Sequence, residues 1–266
     1  MSKLPSLETL SRTQLSRRDL LGLAAKGAAS VVVTQSVLVA CASGGNSSVD
    51  TTTTSLSGST TSALPVGNPS CVLTAALTEG PFFVDEKLNR ADIRTDPVTG
   101  TVSAGIPLAL TFNVSRVANN ACTPLTGAYL DVWHCDAGGV YSDVSGSSQK
   151  FLRGYQITDA NGVAKFTSIY PGWYRGRAVH IHFMLRLYAG TTKRYEFTSQ
   201  FFFDDALTDS VYTLVPYASR GTRDRRNSND GIYNSLSATE KTGLTLQTSK
   251  TPSGYAGVIS LGVNVG

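Results

Sequence analysis

The stretch Val179-His180-Ile181-His182-Phe183-Met184-Leu185-Arg186-Leu187 alternates between two kinds of residue. Its odd-numbered positions are all apolar, whereas its even-numbered positions hold two histidines, a methionine and an arginine. This period of two predicts a half-buried β-strand whose histidines point to the same side of the sheet. His180 and His182 could therefore be two ligands of one metal ion. On its own, however, such a pair is more often a structural feature of a core strand.

Several other short segments show strand-like alternation and lie between turn signals. The sequence Asp159-Ala160-Asn161-Gly162 is typical of a hairpin turn. Residues 204–250 are interpreted as irregular apart from one short helix, expected near residues 205–214. Asn119-Asn120 and Thr123-Pro124 are interpreted as a turn. The further predicted strands cover residues 108–115, 129–135, 151–158, 163–169, 195–203 and 255–265. Many short strands without long helical periods predict an all-β sandwich or barrel.

Residues 1–40 have the features of an export signal. The twin-arginine pattern Ser16-Arg17-Arg18-Asp19-Leu20 is followed by a mildly apolar run up to Ala40. A transmembrane anchor is the alternative, but the run is rich in small residues and no basic stop follows it. The run ends in Leu38-Val39-Ala40-Cys41, which resembles a bacterial lipobox, so Cys41 is a candidate for lipidation. We therefore predict export by the twin-arginine route to the periplasm or cell surface, with membrane attachment only through a lipid anchor.

Residues 41–70 are mostly Ser, Thr and Gly, which cannot build a core, so they are expected to form a flexible tether. The globular domain is then predicted to cover residues 71–266. Without residues 1–40 the chain keeps 18 basic and 17 acidic residues and is nearly neutral. It has no basic stripe with interleaved aromatic residues, so nucleic acid is not an expected partner.

Cysteines 71, 122 and 135 remain besides Cys41. Outside the cytoplasm one disulfide bond is expected among them. The pair Cys71–Cys122 is favoured because both residues lie in loop-like sequence, which leaves Cys135 as a buried thiol at a strand end. The alternative is three free, buried cysteines.

Two kinds of metal site could be completed around the histidine pair without tyrosine. One is a facial triad with a carboxylate such as Glu196 or Asp136. The other is a structural zinc site that adds the third histidine, His134, and the neighbouring Cys135. The first lacks a well-spaced further ligand in the sequence, and the second lacks the usual Cys-x-x-Cys spacing.

A third kind of site would use tyrosines. Tyr141 follows a Gly-Gly turn, and Tyr174 lies six residues before His180. Phenolate is a hard, electron-rich ligand that favours Fe(III) over Fe(II) and zinc. Two phenolates and two imidazoles would therefore form a ferric site. As an alternative, both tyrosines could be ordinary aromatic residues in turns.

The order of motifs in this chain resembles that of the intradiol ring-cleavage dioxygenases, a family that includes protocatechuate and catechol dioxygenases. The resemblance spans roughly residues 71–205 and is closest to secreted, single-chain members. The matching motifs are Thr78-Glu79-Gly80-Pro81-Phe82, Trp133 with Gly139-Val140-Tyr141, Arg153-Gly154, Thr158-Asp159 with Asn161-Gly162, Pro171, Tyr174, Arg177-Ala178-Val179-His180-Ile181-His182-Phe183 and Gln200. Each motif alone is weak, but the ordered set is specific.

The resemblance implies an antiparallel β-sandwich with long loops and a non-haem Fe(III) cofactor. The implied iron ligands are Tyr141, Tyr174, His180 and His182. Tyr174 would also leave the iron when a catechol binds and accept a substrate proton, and Arg177 would stabilise negative charge on the ring. Gly80, Pro81 and Phe82 would line the pocket, and Gln200 would lie just behind it.

The implied reaction is cleavage of a catechol-type ring between its two hydroxyls. The substrates would be a small aromatic catechol and O2, and the product a cis,cis-muconate-type diacid. The alternative function is a non-catalytic exported β-sandwich module that binds a surface partner or carbohydrate. The sequence leaves a homodimer open.

Overall fold

The computed structural model describes residues 72–119 and 121–266. Cys41, Cys71, the predicted export signal and the predicted tether lie outside these residues. Nine strands are described: β1 (Pro107–Ala118), β2 (Ala121–Pro124), β3 (Tyr129–Trp133), β4 (Arg153–Ile157), β5 (Val163–Ile169), β6 (His180–Ala189), β7 (Thr192–Phe202), β8 (Gln247–Lys250) and β9 (Tyr255–Val263). Three short helices accompany them: α1 (Asp205–Val211), α2 (Gly231–Asn234) and α3 (Ala238–Gly243). No helix in the described ranges is long and apolar enough to cross a membrane.

The strands form two sheets. The first has the order β2-β1-β9-β8, with β5 also paired to β1, and the second has the order β4-β3-β6-β7. All pairs are antiparallel except β1 and β9, which run parallel. The prediction of an all-β sandwich is confirmed, with this single parallel pair as the departure from a purely antiparallel arrangement.

The hydrophobic core lies between the two sheets. Phe112 of β1 contacts Phe183 of β6 and Phe201 of β7, with ring centroids 6.0 and 5.8 Å apart. These rings are fully buried, and burying each contributes roughly 2–3 kcal/mol. Because side chains alternate along a strand, the even-numbered positions of β6 face away from this core. The candidate metal ligands therefore lie on the opposite face of the second sheet.

Two strands and several short helices were not expected from the sequence. Residues 119–124 were interpreted as a turn, yet β2 forms there and pairs with the end of β1. Its residues are exposed or half-buried, so no alternation of burial distinguishes it from a loop. Strand β8 and helices α2 and α3 lie in the region interpreted as irregular. The helix expected at 205–214 is α1, which Asp204 caps by accepting the Leu207 N–H at 2.8 Å.

Residues 77–90, which precede β1 in the chain, cover the outer face of the second sheet. The Leu77 N–H donates to the Thr198 carbonyl of β7 at 3.1 Å. Further along, Arg186 of β6 donates to Asp85 at 3.0 Å and to Asp131 of β3 at 2.7 Å. The Arg186 side chain is only 7% exposed. These contacts hold residues 78–90, including the Gly80-Pro81-Phe82 turn, against the sheet face that carries the histidines.

Candidate metal centre

Strand β6 and the loop before it bring three polar atoms to one point. The Tyr174 hydroxyl lies 3.1 Å from His180 Nε2, which lies 3.1 Å from His182 Nε2. Both histidines are buried, with 2% and 1% of their surface exposed. The prediction that the two imidazoles project together is confirmed by this geometry.

A tight turn delivers Tyr141 to the same cluster. The Asp136 carbonyl accepts the Gly139 N–H at 2.9 Å, and its carboxylate accepts the Val140 N–H at 2.9 Å. Gly139 has a φ of +78°, and a Cβ there would collide with the Trp173 carbonyl oxygen. A side chain at this position would therefore displace the loop that carries Tyr174 away from the turn that carries Tyr141.

Tyr141 is 4% exposed, and its hydroxyl has no hydrogen-bond partner of ordinary geometry among the described residues. Burial raises its pKa well above the usual value, and nearby Cys135 and Tyr174 add to the rise. Phe82 stacks on its ring with centroids 4.4 Å apart, and also meets Tyr174 edge-on at 6.0 Å. Phe82 thus covers the tyrosine side of the cluster, and Gly80 of the same turn lies against the His182 ring.

Both histidines are held neutral. The His180 Nδ1–H donates to the Ala178 carbonyl at 2.6 Å, which leaves a lone pair on Nε2. Burial lowers the His180 pKa to about 3, and the charge of Arg177 contributes. Burial also lowers the His182 pKa well below its usual value, and the His182 ring stacks on Trp133 at 5.0 Å. A neutral imidazole whose other nitrogen is hydrogen-bonded is the form in which histidine usually binds a metal, and His180 has this form. His182 Nδ1 is buried and has no hydrogen-bond partner among the described residues.

These four residues fit a bound metal cation. Two nitrogen ligands of one ion, each at about 2.1 Å, lie about 3 Å apart, which is the spacing of the imidazole nitrogens here. The partnerless Tyr141 hydroxyl gains a partner if it becomes a phenolate ligand, and the cation offsets the cost of burying that charge. Hard phenolate oxygens suit a trivalent ion, so Fe(III) fits this set of ligands.

The two alternative sites are not supported. Within residues 72–119 and 121–266 there is no group of three or more His, Cys, Asp and Glu side chains that could hold a metal. His134 is engaged elsewhere, since its Nδ1–H donates to the Cys135 carbonyl at 2.8 Å and its Nε2 meets the Ser168 hydroxyl at 2.7 Å. Glu196 pairs with Lys193, and Asp136 caps the Tyr141 turn. Among the described residues, the tyrosines are the candidates that lie where they can complete the histidine pair.

Arg177 lies beside the cluster and is tied on two sides. Its Nη2 donates to Gln200 Oε1 at 2.6 Å, and Gln200 in turn donates to the Thr78 carbonyl at 2.8 Å. On the other side, its Nε donates to Asp230 at 2.9 Å. Burial raises the pKa of Tyr174, and the charge of Arg177 acts against that rise. The arginine is thus close enough to stabilise negative charge within the cluster.

Asp230 was missed by the sequence analysis. It lies in the region interpreted as irregular, 48 residues beyond His182, and its side chain is fully buried. Burial alone would raise its pKa, but the N–H groups of Tyr233 and Ala178 and the Arg177 side chain lower it on balance. The only sequence signal was its position before a short helix, which is typical of an N-cap and says nothing about Arg177.

Comparison with known proteins agrees with this geometry. The model of a protein family described as Dioxygenase matches residues 78–213, just over half of the chain. An intradiol ring-cleavage dioxygenase from Tetranychus urticae has a similar structure, with a TM-score of 0.62 and 27% identity over 73% of this chain and 95% of that one. The chain belongs to the intradiol ring-cleavage dioxygenase family.

Two curated relatives are named as 1,2-dioxygenases. The chain is 28% identical over 131 residues to hydroxyquinol 1,2-dioxygenase from Corynebacterium glutamicum, covering 42% of this chain and 41% of that protein. It is 33% identical over 100 residues to chlorocatechol 1,2-dioxygenase from Rhodococcus opacus, covering 37% and 38%. The matches thus span about two fifths of the length of these relatives. In this family member, the four candidate ligands and Arg177 fall inside the matched residues 78–213, whereas Asp230 lies beyond them.

Proposed function

We propose that this dioxygenase binds Fe(III) through Tyr141, Tyr174, His180 and His182 and cleaves a catechol-type aromatic between its two hydroxyls. O2 is the second substrate, and each of its atoms ends in one carboxyl group of a cis,cis-muconate-type diacid. The observation that carries the proposal is the convergence of two neutral imidazoles, the buried Tyr141 phenol and the half-buried Tyr174 phenol. A bound cation would also give the Tyr141 hydroxyl the partner that it lacks among the described residues.

The bound ion would supply a Lewis-acidic centre that accepts electron density from the catechol oxygens. The chain's own residues supply the rest. Tyr174 is less deeply buried than Tyr141 and lies beside His180, so its hydroxyl is placed to exchange a proton with an arriving catechol. Arg177 provides a fixed positive charge where the ring becomes negative, which is the electrostatic contribution expected of a preorganised site.

Oxygen uptake with a small panel of catechols tests this proposal directly. We expect consumption of one O2 per catechol and the appearance of muconate-type absorbance. The purified protein should be red-brown, because phenolate bound to Fe(III) gives a charge-transfer band, and a catechol should shift that band. Iron-free, colourless protein after expression with iron would refute the proposal.

Two variants test the ligand assignment. Tyr141→Phe should remove most of the colour, and His182→Ala should lose the metal, because each change deletes one ligand. The matched control is Tyr188→Phe, which alters a tyrosine at the exposed end of β6 and should keep both colour and iron. Retained iron and activity in His182→Ala would contradict the assignment. A non-catalytic binding module, the alternative function, predicts no oxygen uptake by any of these proteins.

We further propose that the enzyme is exported by the twin-arginine route and anchored through a lipid on Cys41. The proposal rests on the arginine pair, the mild apolar run and the lipobox-like sequence. Cys41→Ser should release the protein from the membrane fraction, whereas an unchanged distribution would refute the anchor. A homodimer stays a prediction, which sedimentation of the purified protein would test.

A further inference from the structure

We propose that Asp230 is a positioning residue of the active site, acting through Arg177 and through the peptide group of Ala178. The inference rests on the proposed function, because it assigns Asp230 a part in holding the groups that bind iron and substrate. It concerns a residue beyond the matched residues 78–213.

The two oxygens of Asp230 have separate partners. Oδ2 accepts the Arg177 Nε–H at 2.9 Å and the Ala178 N–H at 2.8 Å. Oδ1 accepts the N–H groups of Ile232 and Tyr233 at 2.8 and 2.9 Å, which caps helix α2. One oxygen therefore serves the helix, and the other serves the site.

Through Oδ2, Asp230 is linked both to Arg177, which would face the substrate, and to the backbone next to the candidate ligand His180. Through Arg177, Asp230 fixes the direction of a guanidinium group that also binds Gln200. Through the Ala178 N–H, it holds the backbone of Ala178, whose own carbonyl, in the next peptide group, accepts the His180 Nδ1–H. That carbonyl sets the tautomer of His180, so two hydrogen bonds and the backbone of Ala178 separate the carboxylate from the imidazole that would bind the metal.

A carboxylate is the group that these four donors require. Asp230 is fully buried, and the Arg177 side chain is 17% exposed, so the pair neutralises a charge that is largely removed from water. Asparagine has the same size but only one acceptor oxygen. If that oxygen continues to cap α2, the amide nitrogen faces two N–H donors, and the contacts to Arg177 and Ala178 are lost.

The experiment compares iron-loaded Asp230→Asn with the parent protein. Asn is a good N-cap residue, so α2 should form in the variant. We expect kcat/KM to fall about 10- to 100-fold, mainly in kcat, because the change misplaces groups that act on developing charge. Release of iron to a chelator should accelerate by a similar factor. The control is Asp224→Asn, which contacts the same loop through the Gly176 N–H at 3.0 Å and should leave all these quantities unchanged.

A double-mutant cycle with Arg177→Gln separates positioning from simple structural support. If Asp230 acts through Arg177, the Asp230→Asn change should reduce kcat much less in the Arg177→Gln protein than in the parent. Fully additive losses in kcat would overturn the proposal. Unchanged kcat, KM and iron release in Asp230→Asn would overturn it as well, even if that variant unfolded more easily.

Two complications have defined outcomes. If Asp230→Asn alone does not fold, the double variant Arg177→Gln/Asp230→Asn is used, because it has no unpaired buried cation. Its rate of iron release is compared with that of Arg177→Gln. Equal rates would refute the contribution through Ala178. If the parent binds iron but cleaves no catechol, the proposed function fails. Iron release and the affinity for 4-nitrocatechol then decide the role of Asp230, and values equal to the parent's would refute it.

Discussion

At the scale of single residues, burial sets the protonation states around the site. His134, the histidine outside the candidate metal centre, is buried with both ring nitrogens in hydrogen bonds. Burial lowers its pKa to about 4 from the 6.5 of an exposed imidazole. Its role is therefore to join Cys135 to Ser168 as a neutral group, which makes it a useful probe of acid stability.

We expect His134 to make the protein less stable as the pH falls. Its pKa is lower in the folded than in the unfolded state, so between pH 6.5 and 4 the unfolded chain binds more protons. The loss approaches about 3 kcal/mol when the pH reaches the folded pKa. Urea unfolding of the parent and of His134→Gln at several pH values measures it, and the variant should lose less stability on acidification. Parallel curves for the two proteins would contradict this prediction.

The tyrosines show why local sequence underestimates such a site. Among 11 tyrosines, nothing local marks Tyr141 and Tyr174 as ligands. The His-x-His alternation predicted that two imidazoles share a face, because that depends only on strand geometry. The convergence of the tyrosines on those imidazoles depends on two loops meeting, and only the resemblance to a family suggested it in advance.

At the scale of elements, the segment of residues 78–90 is held on the second sheet by a buried ion cluster. Arg186 lies between Asp131 and Asp85, and both the Arg186 and Asp131 side chains are at most 10% exposed. The same segment carries Phe82, which covers Tyr141. The cluster thus fixes one wall of the site through strand β6 itself.

Arg186→Met should destabilise the protein by about 3 kcal/mol or more, because it leaves Asp131 buried without its partner. Adding Asp131→Leu should recover much of the loss, since an apolar pair replaces an ion pair without stranding a charge. Lys193→Ala, which removes an exposed ion pair with Glu196, is the control and should cause no measurable change. Urea denaturation of the four proteins measures these effects. An Arg186→Met protein as stable as the parent would refute the structural role of the cluster.

Strand prediction succeeded where at least one face is buried and failed where neither is. The strand predicted to be half-buried around His180 is in fact buried on both faces from His180 to Arg186, because residues 78–90 cover its outer side. Strands β5, β6 and β9 are long and apolar on the core side, so their alternation was visible. Strands β2 and β8 have four residues each and no buried residue. Their existence depends on backbone hydrogen bonds to β1 and β9, which leave no pattern in side chains.

At the scale of the whole molecule, the first described residues contact the last strand, β9. The Thr74 N–H donates to the Gly262 carbonyl of β9 at 2.8 Å. Both the Val72 carbonyl and the Val117 side chain lie against Gly262. Val117 is paired with Cys122 between β1 and β2. Val72 therefore lies close to the Val117–Cys122 pair.

We expect the disulfide partner of Cys122 to be Cys71. Cys122 is disulfide-bonded, whereas Cys135 is a free, buried thiol, and residue 72 lies next to the strand that pairs with β2. A bond closing a loop of about 50 residues contributes about 4 kcal/mol in the chain-entropy model. Peptide mapping under non-reducing conditions should find Cys71 joined to Cys122, and Cys71→Ser should lower the melting temperature. A Cys41–Cys122 peptide would refute the pairing.

The sequence by itself determined the fold class and half of the proposed metal site. Strand periodicity and turn chemistry are local, so the all-β sandwich and the shared direction of His180 and His182 could be derived from neighbouring residues. Motif order added the family and with it Tyr141, Tyr174 and Arg177.

The tertiary structure alone decided what surrounds those residues. It showed that Asp230 binds Arg177, that His134 is excluded from the cluster, and that Arg186 fixes the wall with Phe82. Each of these contacts joins residues about 35 to 100 positions apart in the chain. Which residues meet in these contacts depends on how the loops pack on the sheet face and not on local sequence, because the contacts form only when the whole fold closes.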